Sequence, residues 1–373
     1  MKILFILENH YPNIGGVETL FKYLTESLAA RGHTITVLTN QFDKALERRL
    51  HLNGVDIVRV PFKNRYLFTL LAIFPAARLA KKHDVIHTTS YNAGIPAYFG
   101  GLLARKKVLI TFHEVWGKLW FRLPFMSKFS LSLHYLFEKF LLLLPFHRFI
   151  AVSAATAKSL QANGIRKEKI TTIHNGIDYN EFPPANSSRE IGRTFRFIYF
   201  GRLGISKGLD ILLAGLELLS KDFGNFNMTL VIPTQPEGFH KQIKKIISDK
   251  NLDEVIGIKS DLEKEVLMGE IRKSDAVIIP SYSEGFCFTA VETMALKVPI
   301  ISSGKGALSE VVSGKHLTMK SHDPLGLKNA MVKAMNNEWS ETPVKKFTLE
   351  NSIQKYMDMY DKLAGKDEIS STS

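Results

Sequence analysis

Apolar residues along this chain fall into two rhythms. Short, nearly unbroken apolar runs at Lys2 to Leu7, Thr34 to Thr39, Val55 to Val60, Lys107 to Phe112, Phe195 to Phe200 and Met228 to Ile232 have the length of strands buried on both faces. Asp84 to His87, Thr171 to Ile173 and Val255 to Ile258 are shorter examples. Between them apolar positions recur at helical spacing. Val17, Leu20, Phe21, Leu24 and Leu28 form one stripe that Arg31-Gly32 stops, and Leu209, Leu212, Leu213, Leu216 and Leu219 form another. Ser153 to Gly164 has a Ser cap and a glycine stop, and Phe347 to Leu363 is amphipathic. Strands alternating with helices in this way predict parallel α/β sheets.

The stretch from Ala276 to Ile301 is the densest of these units. It reads as a strand to Pro280, a polar loop from Ser281 to Gly285, a short helix over about Phe286 to Leu296, and a second strand from Pro299. Ligands of parallel sheets sit outside the carboxyl ends of the strands, which is where Tyr282, Ser283, Glu284, Gly285 and Phe286 fall. Two carboxylates flank the turn. Glu284 in the loop and Glu292 about two turns into the helix line one cleft if the loop folds back over the helix start, whose N–H groups suit an anion. Either glutamate alone would read as a solvated charge. Cys287 has no histidine beside it and reads as packing.

Other strand ends carry further candidates. Gly15-Gly16 lets the backbone between the first strand and its helix approach a ligand, although it is no GxGxxG fingerprint and no acidic residue ends the second strand. His113 follows the strand Lys107 to Phe112; a lone histidine there is more often structural. Arg202 at a strand end and Lys207 at a helix start put two cations beside a helix N-terminus, which suits a pyrophosphate, without the spacing of a Walker A loop. Ser303 and Gly304 are further phosphate candidates, and Lys241 to Lys250 reads as a solvated helix face. The turn at His174-Asn-Gly-Ile-Asp178 and the run Phe182-Pro-Pro place a domain boundary near residues 180 to 193.

Bulk properties narrow the class. With 373 residues, 45% of them apolar, the chain is long enough for two ordinary domains. Cys287 is the single cysteine, which excludes a disulfide framework and fits a reducing compartment. The N-terminal apolar run suits a first strand rather than a signal peptide, and no stretch has the length of a membrane span, so a cytoplasmic or peripheral protein is expected. Lysine and arginine number 49 against 36 acidic residues, a net charge of +13, which favours an anionic partner. No nucleic-acid motif appears, and basic residues interleave with apolar ones, so nucleic acid is not expected as a partner.

From Val115 to Ile150 aromatic residues crowd together, including Trp116, Trp120, Phe121, Phe125 and Phe129, with Lys118, Arg122, Lys128 and Lys139 between them. Such a mixture on a segment too short to span suggests a patch from Trp116 to Phe129 on the anionic inner face of a membrane, while Phe140 to Leu144 belongs partly to the interior.

Glu284-Gly-Phe followed by Glu292 resembles the E-x7-E signature of retaining GT-B glycosyltransferases, especially family 4. Gly15-Gly16, His113, Asn175 to Asp178, and Arg202 with Lys207 match other elements of that family in order, over nearly the whole chain. Two places depart from it: Pro233-Thr-Gln-Pro replaces the family's usual glycine-rich turn, and Lys297 stands where a glycine is usual. The resemblance implies two Rossmann-like domains facing across a cleft. It puts an acceptor-side domain at 1 to 180, a nucleotide-sugar domain at 181 to 346, and a helix at about 347 to 365 that crosses back. It also implies transfer of a sugar, with retention, from a UDP- or GDP-linked donor to a glycan or lipid-linked acceptor, in cell-surface polysaccharide or glycolipid synthesis, without metal or other cofactor. In that scheme Arg202 and Lys207 hold the diphosphate. Glu292 binds ribose hydroxyls, and Glu284 with His113 contacts the sugar. Gly15, Gly16, Gly285, Phe286 and Cys287 complete the substrate-binding set. Two alternatives share these features: a nucleotide-sugar epimerase of the same fold, and a non-catalytic scaffold or binding protein.

Overall fold

The computed structural model describes residues 1–13, 15–183 and 194–363. The run after Pro183 and the tail Lys366 to Ser373 lie outside the described residues. The chain forms two compact units. The first comprises Met1–Trp120, Phe129–Gly176 and the segment from Leu349 on; the second comprises Phe121–Lys128 and Ile177–Thr348.

Strands of the first unit are β1 Lys2–Leu7, β2 Thr34–Asn40, β3 Arg49–Leu52, β4 Val55–Val60, β5 Val85–Thr89, β6 Lys107–Phe112, β7 Arg148–Ala151 and β8 Ile170–Thr172. Their order is β3-β4-β2-β1-β5-β6-β7-β8, parallel except for β3, and Ile3 of β1 lies opposite Ile35 and Val85. Its helices are α1 Gly16–Ala30, α2 Arg65–Leu71, α3 Ile73–Ala80, α4 Gly94–Ala104, α5 Lys128–Leu143 and α6 Ala154–Ala162. The second unit has β9 Phe195–Phe200, β10 Phe226–Val231, β11 Ile256–Lys259, β12 Ala276–Ile279, β13 Ile300–Ser302, β14 Gly314–Thr318 and β15 Ser340–Thr342. They run β11-β10-β9-β12-β13-β14-β15, with only β15 antiparallel among the described strands. Its helices are α7 Leu209–Ser220, α8 Glu237–Asp249, α9 Lys264–Lys273, α10 Phe288–Ala295, α11 Leu308–Val311 and α12 Pro324–Met335. The last helix, α13 Leu349–Leu363, belongs to the first unit.

Each sheet has one place where the chain, having wound outward, returns to the middle and proceeds the other way. It lies between β1 and β5 in the first unit and between β9 and β12 in the second. Loops leaving the carboxyl ends of such a strand pair diverge and open a crevice. Central strands such as β1, β6, β9 and β12 are mostly apolar and buried, as strands covered on both faces are. In the first unit Leu4, Ile6 and Ile110 pack with Phe68, Ala76 and Leu141 on one side. The alternate side of β1 presents Phe5, whose ring meets Phe21 of α1 at 6.0 Å and His87 at 5.2 Å. His87 is fully buried, held between the Tyr360 hydroxyl of α13 and Thr111 Oγ1, and burial with the nearby His113 pushes its pKa down to about 3.

Several local expectations need correction. α10 begins at Phe288 rather than Phe286, because Cys287 takes a left-handed conformation with φ 74° and holds the chain out of the helix until the next residue. α8 is not a solvated face throughout, since His240, Ile243 and Ile247 are buried. The segment from Phe121 to Lys128, expected in the first half, packs in the second unit, where the rings of Phe125 and Phe239 lie 4.9 Å apart.

The tryptophans expected on a surface patch turn inward. The rings of Trp116 and Trp120 lie 4.4 Å apart, and Trp120 is 5% exposed. Their loop is drawn in by Glu138, a fully buried carboxylate that accepts hydrogen bonds from the backbone N–H groups of Trp116 and Gly117 at 2.9 and 2.6 Å and from the Tyr91 hydroxyl at 3.0 Å. Phe121 and Phe129 of that stretch stay exposed, and Phe129 begins an outward side of α5 that continues through Leu133, Leu136, Phe140 and Leu143 at three- and four-residue spacing.

Tyr360→Phe tests the tie between α13 and the first sheet. It leaves His87 Nδ1 buried without its partner, and an expected loss of about 1–3 kcal/mol is measured by urea denaturation.

Candidate active site

The loops after β9 and β12, at the second unit's switch point, are held against each other. Gly208 precedes α7 with φ 71°, and a Cβ there would lie 2.1 Å from the Pro280 carbonyl oxygen, so only glycine allows this approach. Tyr282 N–H donates to the Ser206 carbonyl at 2.8 Å. Across the junction Lys207 Nζ lies 2.8 and 3.0 Å from the two oxygens of Glu284, and Ser281 Oγ donates to Glu284 Oε1 at 2.7 Å. Burial by itself would lower the lysine pKa. The adjoining Glu284 carboxylate outweighs it, so the net shift is upward and the ammonium is held charged.

A second brace comes from the loop after β13. Ala307 N–H donates to the Glu284 carbonyl at 2.8 Å, and Ser303 Oγ donates to the Ser281 carbonyl at 2.6 Å. Gly306, at φ 58°, passes so close that a Cβ would sit 2.4 Å from the Glu284 carbonyl oxygen. Ser303, expected with Gly304 as a phosphate contact, thus braces the Glu284 loop together with Gly306 and Ala307.

Around this pair the remaining expected residues take distinct positions. Arg202 is exposed in the same β9 loop. Phe286 is buried, with its ring 5.3 Å from both Phe288 and Phe347, so its side chain packs in the interior. Cys287 is buried, and its thiol is pushed well up in pKa by burial and then by Glu284, as an inert packing residue would be. Glu292, partly buried in α10, has its pKa pushed up to about 7, chiefly by burial, with Lys264 opposing the shift and Glu181 adding to it. Lys264 itself pairs with Glu181 and lies 4.7 Å from the Phe182 ring centre. The Tyr199 hydroxyl, which sequence reasoning missed, is buried beside Lys207 and Glu284, and burial raises its pKa.

In the first unit His113 stands at the end of β6 with its ring 6.1 Å from Phe21 of α1. Gly15 caps α1 in an extended conformation, and a methyl there would fall 2.3 Å from Glu18 Oε2, so the helix start already faces a carboxylate of its own. Two further polar groups at the switch point of this sheet were missed. Glu8 accepts two hydrogen bonds from Arg65, at 3.0 and 3.2 Å, and one from Asn92 Nδ2 at 2.8 Å. Buried Arg59 donates to the Tyr11 and Glu47 carbonyls, and buried His10 has its pKa pushed down to about 4 by burial, then by Arg59 and Lys22. Glu8 and His10 lie in the loop after β1, a place the strand pattern marks; their partners come from elsewhere in the chain.

Sequence models of two families match in succession, Glycosyltransferase Family 4 over residues 14–181 and Glycosyl transferases group 1 over residues 185–349. The chain belongs to the GT-B glycosyltransferases. The fold of this glycosyltransferase is similar to that of sucrose-phosphate synthase from Thermosynechococcus elongatus, with a TM-score of 0.80 and 19% identity over 98% of this chain and 100% of that one. It is also similar to HepE from Anabaena in complex with UDP-glucose, with a TM-score of 0.70 and 18% identity over 97% and 100% of the two chains. In sequence it is 27% identical over 173 residues to the D-inositol 3-phosphate glycosyltransferase of Pseudarthrobacter chlorophenolicus, a match spanning 44% of this chain and 41% of that one. The sequence relatives bear out a transferase, so the scaffold reading falls away.

Substitutions at Glu284, Lys207 and Glu292 probe the site's electrostatics. Glu284→Gln leaves the Lys207 ammonium without its counter-charge and is expected to cost about 3 kcal/mol in urea denaturation, part of which Lys207→Met restores in the double variant. For Glu292 the folded pKa lies above the unfolded one. The folded chain then keeps a proton that the unfolded chain loses, and stability falls as pH rises from 4.5 to about 7. Glu292→Gln removes that slope, so its stability relative to wild type should improve across this window and level off above it.

Proposed function

We propose that this glycosyltransferase moves a hexosyl group, with retention of configuration, from a UDP- or GDP-linked donor to a glycan or lipid-linked acceptor in cell-surface polysaccharide or glycolipid synthesis. The observation that carries this reading is the Lys207–Glu284 pair at the carboxyl ends of β9 and β12, with exposed Arg202 in the same loop. An ammonium has three N–H donors, and Glu284 engages two directions of Lys207, which leaves one for a phosphate oxygen. Glu284 keeps lone pairs for hydroxyls of the transferred sugar. The Glu292 carboxylate accepts from the ribose hydroxyls once it loses its proton near neutral pH. UDP-glucose bound to the structurally similar HepE supports a uridine donor.

As the bond between the sugar's anomeric carbon and the phosphate oxygen breaks, negative charge grows on the diphosphate, and Arg202 and Lys207 stabilise it where a metal would otherwise be needed. We assign His113 a contact with the sugar and the Gly15-Gly16 loop a contact with the acceptor. Retention through a covalent intermediate would require a carboxylate nucleophile. In the present reading the acceptor oxygen instead bonds to the anomeric carbon from the face the diphosphate leaves, and a phosphate oxygen takes the acceptor's proton. The exposed apolar side of α5 supports an acceptor presented at the cytoplasmic face of an anionic membrane. Among the described residues no helix is long and apolar enough to cross a membrane.

Incubating the protein with UDP- and GDP-hexoses and a membrane-lipid or glycan extract tests this reading, with the product's anomer assigned by NMR. A product of the donor's own anomeric configuration is expected, with Arg202→Ala and Lys207→Ala each lowering turnover about a hundredfold or more. An inverted product would remove retention, and an altered donor sugar without transfer would identify an epimerase.

A further inference from the structure

At the opposite end of the first sheet from His113 lies a cavity of about 630 Å³, between the end of α4, the amino ends of β6 and β7, and the turn before β8. Six cations line it: Arg105, Lys106, Lys107, Arg148, Arg166 and Lys169. One carboxylate, Glu168, accompanies them, and it pairs with Arg166 at 3.2 Å on the exposed rim. His147 lies within the cavity, and its pKa is lowered by burial and then by Lys107, Arg148 and Lys169, so three cations bear on one imidazole. Like charges gathered around one hollow repel each other at a cost that a bound anion would reverse.

Apolar surface adjoins the cations. Tyr98, Leu102 and Pro145 line the same cavity, and Leu102 and Leu103 are 59% and 61% exposed at the end of α4. Leu143, 79% exposed, closes the outward stripe of α5 two residues before Pro145. That stripe therefore runs down its helix to the mouth of the cation-lined hollow. Oily side chains leading to a cluster of ammonium and guanidinium groups complement a molecule with a hydrocarbon part and a phosphate at one end.

We propose that this cavity is a phosphate-binding site that takes the headgroup of an anionic glycerophospholipid, with the acyl region lying along the exposed leucines. The proposal rests on the membrane reading above and adds to it a built site, remote from the sugar-transfer residues. Lys107 at the start of β6 and Lys169 just before β8 hold the phosphate, Arg105 and Arg148 flank it, and Leu102 with Leu143 meets the chains.

The experiment uses the whole chain with vesicles of phosphatidylcholine alone or with added phosphatidylglycerol, and with soluble glycerol 1-phosphate. Wild-type protein should float with the phosphatidylglycerol vesicles only. Lys107→Glu/Lys169→Glu should weaken that binding about tenfold or more, while its melting temperature and its transfer to a lipid-free acceptor stay as in wild type. Glycerol 1-phosphate should raise the His147 pKa, followed by NMR, in wild type and not in the double variant. Undiminished flotation of the double variant would overturn the proposed site while sparing the membrane reading. Absence of flotation by wild type would remove both. Tight binding of glycerol 1-phosphate without any vesicle binding would overturn the lipid assignment in favour of a soluble phosphate compound.

Discussion

The ligand end of the second unit depends on Lys207 and Glu284 meeting where little water reaches them. Each charge would be costly to bury alone, and together they are tolerable because they meet at contact distance. That demand reaches outward through the loops. Gly208 must leave room for the Pro280 carbonyl, Gly306 must leave room for the Glu284 carbonyl, and Ser281 and Ser303 must bond the loop that carries Glu284. Under the proposed function, this preorganised pair supplies a cation for the leaving phosphate and a carboxylate for the sugar hydroxyls without reorganising during the reaction.

The two sheets solve the placement problem in the same way. A parallel sheet wound outward from a central strand must reverse once, and the loops on either side of the reversal cannot cover each other. In the second unit the reversal frames Lys207 and Glu284. In the first it frames Glu8, whose carboxylate gathers Arg65 from α2 and Asn92 from the loop after β5. Conserving hydrogen-bond capacity inside these crevices falls to side chains, because the strands' own backbone groups are taken up by the ladders.

The first unit's outer surface follows a different logic. Glu138 is buried to hold the loop that follows His113, and this pulls Trp116 and Trp120 inward. The apolar side of α5 then remains outside, unlike an ordinary amphipathic helix, which turns its apolar stripe to the core. Its inward residues, Leu131, Leu141 and Leu142, supply the core contacts, so α5 is apolar on two sides with its polar groups between.

The parallel α/β architecture, most strand positions and the Glu284–Glu292 loop were legible in the sequence, because strand and helix periodicity depends on neighbours along the chain. Glu284, Arg202 and Lys207 could be marked as candidates for the same reason: strand ends show where a run of apolar residues stops. The edge strand β3, with its half-exposed RLHL, gave no such rhythm. Which groups touch was decided only in three dimensions. Lys207 and Glu284, or Glu8 and Asn92, are joined across long stretches of chain by sheet order rather than by local pattern. The inward turn of the tryptophans, the near-neutral pKa of Glu292 and the crowd of cations around His147 likewise arise from burial and from neighbours that the fold alone supplies, since desolvation and Coulomb interaction act through space and not along the sequence.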